Sequence, residues 1–210
     1  MRAAAGFILY YLLCLGAIVF VLQNRILPWP FHGTGTLSRV WLNVGVYLPV
    51  LLMAAISLAW LGSEGMRVRD AFAWRKIHWL FYIGLVVSVA DSVYLFTFNR
   101  FPLHAYTFWP PVLLLSAMNA AAEETFYRLV IYRLTKRLIK HSWMANLVQS
   151  VIYAIPHLWI GGPQMVVFAF IYGLILGMIV EKNDSVVPAM ICHFCIDIGN
   201  IGLPLLIMLP

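Results

Sequence analysis

The sequence predicts an all-α protein, a polytopic bundle of transmembrane helices forming a single domain over residues 1–210. Three observations predict it. Apolar residues make up 63% of the chain and charged residues 10%, where an ordinary soluble domain carries roughly a quarter charged residues. Apolar runs of the length that crosses a bilayer, about 20 residues, recur from end to end. Lys and Arg gather in alternate connections between those runs, as the positive-inside rule requires. Eight acidic side chains cannot solvate a body of this size in water. The mean hydropathy of +0.88 excludes disorder, since disordered chains are poor in apolar residues.

The runs fall at about 4–22, 40–62, 78–98, 107–132, 145–160, 164–180 and 186–209, which makes about seven spans, with a range of about six to eight. The first is too long for the core of a signal peptide, and LQNRILPWP after it offers no small-residue cleavage site, so it is an anchor. Pro110, Pro111 and Pro188 stand near span starts, where a missing N–H costs little. Pro156 falls inside a run and should kink or break its helix. No internal repeat of the kind seen in transporter halves is present.

With the N-terminus cytoplasmic, the inner connections carry Arg2, then Arg67, Arg69, Arg75 and Lys76, then Arg133, Lys136, Arg137 and Lys140, then Lys182. The outer ones carry Arg25, Arg39 and Arg100, and Arg128 is left within a span. The stretch GSEGMRVRDAFAWRK at 63–77 reads equally as an interfacial helix and as a basic loop. Despite a net charge of +6, no nucleic-acid partner is expected, because the basic residues form short clusters and no continuous stripe. Cys14, Cys192 and Cys195, all inside apolar runs, make no disulfide framework.

Ionisable groups inside spans are costly and mark functional sites by default. Here they are Asp91, Glu123, Glu124, Arg128, His157, His193 and Asp197. In MNAAAEETFYRLVIYRL, Glu124 and Arg128 are helical i,i+4 neighbours in the favourable order for an ion pair. Glu123 points about 100° away and has no base four positions on, so it is left to a cavity, as a general base for water requires. The alternative is that all three only staple helices together.

In SVIYAIPHLWIGG, Tyr153 and His157 share a helix face beside Pro156, and His157 reads either as a hydrogen-bonded link between helices or as a catalytic group. In VPAMICHFCIDIGN, His193 and Asp197 are again i,i+4, and such a pair can fix a tautomer and face an oxyanion. Cys192 and Cys195 lie about 100° or more from His193 around the helix, so they read as packing residues and not as zinc ligands. Counted from the basic inner edges, Glu123, His157 and His193 fall at about 15, 16 and 12 Å, one layer in the inner half of the bilayer. Asp91 reads equally as a supporting partner or as a helix link.

The three segments EETFYR at 123–128, YAIPH at 153–157 and HFCID at 193–197 resemble the motifs of the CaaX protease and bacteriocin-processing family of intramembrane endopeptidases. That pattern is Glu-Glu-x-x-x-Arg, then Phe-x-x-x-His, then His-x-x-x-Asn or Asp, on three membrane helices. The likeness covers roughly residues 108–200, the expected catalytic core, with Tyr153 where Phe is usual and Asp197 where many members have Asn.

The resemblance implies hydrolysis of a peptide bond in a membrane-embedded or lipid-anchored protein or peptide, the partners being that substrate and the bilayer. By resemblance Glu123 activates water with help from His157, His193 and Asp197 stabilise the oxyanion, and Glu124 with Arg128 holds the site in shape. No cofactor is expected, a zinc ion being the less favoured alternative, because good ligands are few and no His-Glu-x-x-His is present. Short connections resemble prokaryotic members of the cytoplasmic membrane. The rival functions are a membrane-embedded binding or immunity protein and a proton-coupled transporter.

Overall fold

A computed structural model describes residues 51–52, 54–63, 65–98 and 109–200, and every regular element among them is helical. Helix α1, Ala54–Ser63, leads to the short α2, Val68–Phe72, and then to α3, Trp79–Phe98. The next helix is continuous but changes its winding. It begins as α4, Trp109–Glu123, passes through a π-helical stretch, Glu124–Ile131, and finishes as α5, Tyr132–Ile139. Then follow α6, Ser142–Ala154, α7, His157–Asn183, and α8, Val187–Asn200. The run expected at 4–22, most of that at 40–62, the end of that at 186–209, Cys14 and the placement of the N-terminus lie outside the described residues.

Helix α3 and the Gly162–Asn183 part of α7 are long and apolar enough to cross a membrane. Val86, Tyr94 and Phe98 of α3 and Val167 and Ile171 of α7 are exposed on the outside of the bundle. Ser88, Ser92, Asn119, Gln149 and Ser150 are buried inside it. A water-soluble bundle has the reverse polarity. In lipid, apolar burial gives helices no reason to associate, so small and polar residues join them.

The prolines act as expected. Pro110 and Pro111 sit in the first turn of α4 and Pro188 in the first turn of α8. Pro156 separates α6 from α7. Two boundaries are finer than the sequence expectation. Between the runs 145–160 and 164–180, α7 carries Gly162 at a left-handed φ of +71° next to Pro163, and the membrane-length apolar helix starts there at Gly162, as the division at 161–163 expects. The element itself extends back to His157, with the further break at Pro156. The run 107–132 ends late, at Ile139.

Polar side chains clasp the helices pairwise. From α6, Gln149 Nε2 donates to the Gly173 carbonyl at 3.0 Å and Asn146 Nδ2 to that of Leu174 at 3.0 Å. Between α3 and α8, the Gly199 N–H donates to Ser92 Oγ at 3.0 Å. The start of α3 is tied to the end of α7, where the His78 N–H donates to Asn183 Oδ1 at 2.7 Å. The basic stretch 63–77 holds the five-residue α2, which docks through its buried Ala71 and a 2.9 Å bond from the Val186 N–H to the Ala71 carbonyl. The apolar core between α3, α7 and α8 is built on Phe81, Leu176, Ile179, Cys192 and Ile196, with Leu129 and Val130 reaching in from the π-helical stretch.

A Cβ on Gly199 would lie 2.6 Å from Ser92 Cα, so Gly199→Val is expected to force α3 and α8 apart and destabilise by about 1–3 kcal/mol. Gly62→Ala meets only an ordinary contact, 3.9 Å from Val68 Cγ2, and should be neutral. Thermal unfolding of the two variants in detergent checks the pair.

Candidate active site

The site is built around the change of winding in the long helix. All eight residues of the π-helical stretch are buried, and such segments occur mostly where function needs an irregular side-chain display. Glu124 and Arg128 form the expected ion pair, Nε 3.2 Å from Oε2, with neither side chain exposed. The Arg128 guanidinium lies over the Tyr153 ring of α6 at 4.2 Å, a cation–π contact strengthened by the absence of water. The other Glu124 oxygen, Oε1, is 2.7 Å from His193 Nδ1 of α8. Glu124 is therefore held from two sides, by its own helix and by a neighbour.

Since the carboxylate accepts, His193 donates from Nδ1 and turns Nε2 the other way. That nitrogen lies 3.5 Å from Asp197 Oδ1 and 3.7 Å from Glu123 Oε2. Asp197 is fixed in turn by Asn119, whose Nδ2 donates to Oδ2 at 2.9 Å. His157 opens α7 just past the Pro156 break, and its Nδ1 donates to the Tyr153 carbonyl at 3.0 Å. In the neutral ring this makes Nε2 the acceptor. The Tyr153 ring stands edge-on to both imidazoles, 4.9 Å from that of His157 and 6.1 Å from that of His193.

Glu123, His157, His193 and Asp197 line one internal cavity of about 100 Å³, together with Asn119 and Asn200, enough for several water molecules. The structure thus brings together all the residues that the sequence singled out for chemistry, from α4, α7 and α8. It also separates the two glutamates as expected, Glu123 to the cavity and Glu124 to Arg128. The winding differs, being π-helical from Glu124 onward where an α-helix was expected.

Three partners were missed. Asn119 lies four residues before Glu123 on the same face, a signal that could have been read. Asn200 donates to Asp91 Oδ2 at 2.8 Å, so Asp91 links α3 to α8 beside the cavity. Tyr172 sets its ring edge 6.1 Å from His193 and shares a 2.9 Å hydrogen bond with Ser88.

Cys192 Sγ faces the Phe81 carbonyl at 3.8 Å, while His193 and His157 commit Nδ1 to Glu124 and to the backbone and keep Nε2 as the remaining ring nitrogen, an arrangement that metal-binding histidines also adopt. Among the described residues no three His, Cys, Asp or Glu side chains group as a metal site.

The described bundle is apolar outside and keeps acids and imidazoles around one cavity. Residues 105–199 match the family model described as type II CAAX prenyl endopeptidase Rce1-like. That segment, a little under half of the chain, contains all three motifs and is similar to the CaaX protease family. No curated protein and no solved structure matches the chain.

Glu124→Ala would leave Arg128 buried without its counter-charge, a loss of about 3–5 kcal/mol when one partner of a buried pair is removed. The variant is expected to lose its folded, monodisperse form in detergent, while Glu123→Gln keeps it. Gel filtration and thermal unfolding of both read the difference.

Proposed function

We propose that the chain is a multi-pass integral membrane endopeptidase, hydrolysing a peptide bond of a membrane-embedded or lipid-anchored substrate with water activated by Glu123 and His157. The observation that carries this reading is the unequal treatment of two adjacent acids. Glu124 is tied to Arg128 and His193, whereas Glu123 faces the cavity shared with His157 and His193.

In the proposed reaction a water in the cavity gives its proton to Glu123 while the His157 Nε2 lone pair orients it. The oxygen attacks the peptide carbonyl carbon, and the carbonyl oxygen takes up negative charge. His193, as an imidazolium that donates from Nδ1 to Glu124 and from Nε2 to the substrate, stabilises that oxyanion, and Glu124 keeps the ring in place. The C–N bond then breaks as Glu123 returns the proton to the leaving amine. Asp197 acts through His193, since a bare carboxylate would repel an oxyanion. Arg128 keeps Glu124 in position from the far side.

Removing a general base costs about 10²–10⁴-fold in rate. Glu123→Gln and His157→Ala are therefore expected to abolish cleavage of a candidate membrane peptide by the purified, folded protein, and normal cleavage by Glu123→Gln would remove the enzyme reading. Asp197→Asn should stay active, because an amide can accept from Asn119 and still turn an N–H toward the cavity. Activity should survive a chelator. Loss on chelation with rescue by zinc would replace glutamate catalysis with metal catalysis.

A further inference from the structure

A second cavity lies apart from the acid–imidazole cluster, beside the basic segments where α3 begins and α7 ends. It measures about 750 Å³, within the range of small-ligand sites. Arg75, Lys76, Arg133, Lys136 and Arg137 line it against three acids, Asp70, Glu181 and Asp184. Segments far apart in the chain, 66–76, 132–137 and 180–184, converge to build it.

The acids do not satisfy the bases. Asp70 pairs with Arg75 at 3.0 Å, but the side chains are 48% and 77% exposed, and a pair so wet holds little energy. Glu181 reaches Lys136 only at 4.0 Å. Arg133, half-buried, donates Nη1 to the Met66 thioether at 3.0 Å, and sulfur is a weak acceptor. Burial lowers the Arg133 pKa, and the attraction of Asp184 exceeds the like-charge repulsion of Arg137. Among the described residues Lys76 and Arg137 have no ion-pair partner. An anion between these groups would pair with them and offer oxygen acceptors to the Arg133 guanidinium, whose Nη1 meets a sulfur.

The level of the cavity suggests where such an anion comes from. Both helices long enough to cross a membrane, α3 and α7, end beside it. Trp74, Ile77 and Trp79 stand exposed on the adjoining strip, and exposed tryptophans at span ends mark the headgroup level.

We propose that this cavity binds a phosphate anion at the membrane surface, as presented by the headgroup of an anionic phospholipid. A soluble phosphate shares the chemistry, and the test separates the two. The full chain in neutral detergent is titrated with dimyristoyl-phosphatidylglycerol, with dimyristoyl-phosphatidylcholine and with inorganic phosphate, binding being followed by native mass spectrometry.

Phosphatidylglycerol is expected to be retained in preference to phosphatidylcholine. Lys76→Gln/Arg137→Gln, both at exposed positions, should weaken it roughly thirtyfold, two basic groups near a headgroup being removed. Lys182→Gln, a base on the same helix end outside the cavity lining, should leave it unchanged, with circular dichroism confirming that all variants fold. Displacement of the lipid by inorganic phosphate assigns the site to a soluble phosphate, and retention against phosphate assigns it to a headgroup. Equal retention of the two lipids overturns the proposal. So does a double variant that binds as the wild type, or a Lys182→Gln that loses as much.

Discussion

The structure turns on one carboxylate. Glu124 is ion-paired with Arg128 on its own helix and hydrogen-bonded to His193 on α8, so a charge that would be intolerable alone in lipid becomes the joint between two helices. A buried pair of this kind adds little net stability over an apolar contact of the same shape, and its value lies in selecting one arrangement. Here the selected arrangement points His193 Nε2 at the cavity and leaves the neighbouring Glu123 outside the pair. The chemistry proposed for this chain needs both results, and one fixed side chain delivers them.

Around that joint the bundle is assembled by polar and small residues. Asn146 and Gln149 reach α7 where Gly173 and Gly177 leave space, Ser92 meets Gly199, and Asn200 meets Asp91. The apolar residues mostly cover the outside. This is the distribution expected of helices in a solvent of acyl chains, where hydrogen bonds and close backbone approach give helices a reason to choose their neighbours. It also gives the site its rigidity, since Asn119, Asn200 and Tyr172 all serve as partners to the cavity and belong to helix contacts.

Local spacing made part of this legible. The Glu124–Arg128 pair, the helix break at Pro156, the proline-led starts of α4 and α8 and the common layer of Glu123, His157 and His193 all follow from counting residues along helices. Contacts between helices are not local, and no count within HFCID shows that His193 Nδ1 will find Glu124. The π winding was hidden as well. ETFYRLVI shows no breaker, and its hydrogen bonding is decided by what packs around it. Asn119 escaped notice because uncharged polar residues are frequent in spans, although its spacing to Glu123 was plain. Gly161-Gly162-Pro163 reads as a division, and the structure keeps the left-handed Gly162 there, although one helical element runs across it.

The π-helical stretch has a consequence for how the molecule can vary. A helix bonded i→i+5 accommodates more residues per turn than one bonded i→i+4, so Glu124–Ile131 works as a phase-shifter between α4 and α5. Upstream of it the helix presents Asn119 and Glu123 to the cavity, and downstream it presents Arg133, Lys136 and Arg137 to the basic basin. Tightening it to ordinary winding at the same length would rotate the two halves relative to each other. Every side chain would survive such a change, yet acid and basic faces could no longer both meet their partners. What packs around the segment and keeps it wide therefore matters to the site as much as the residues within it.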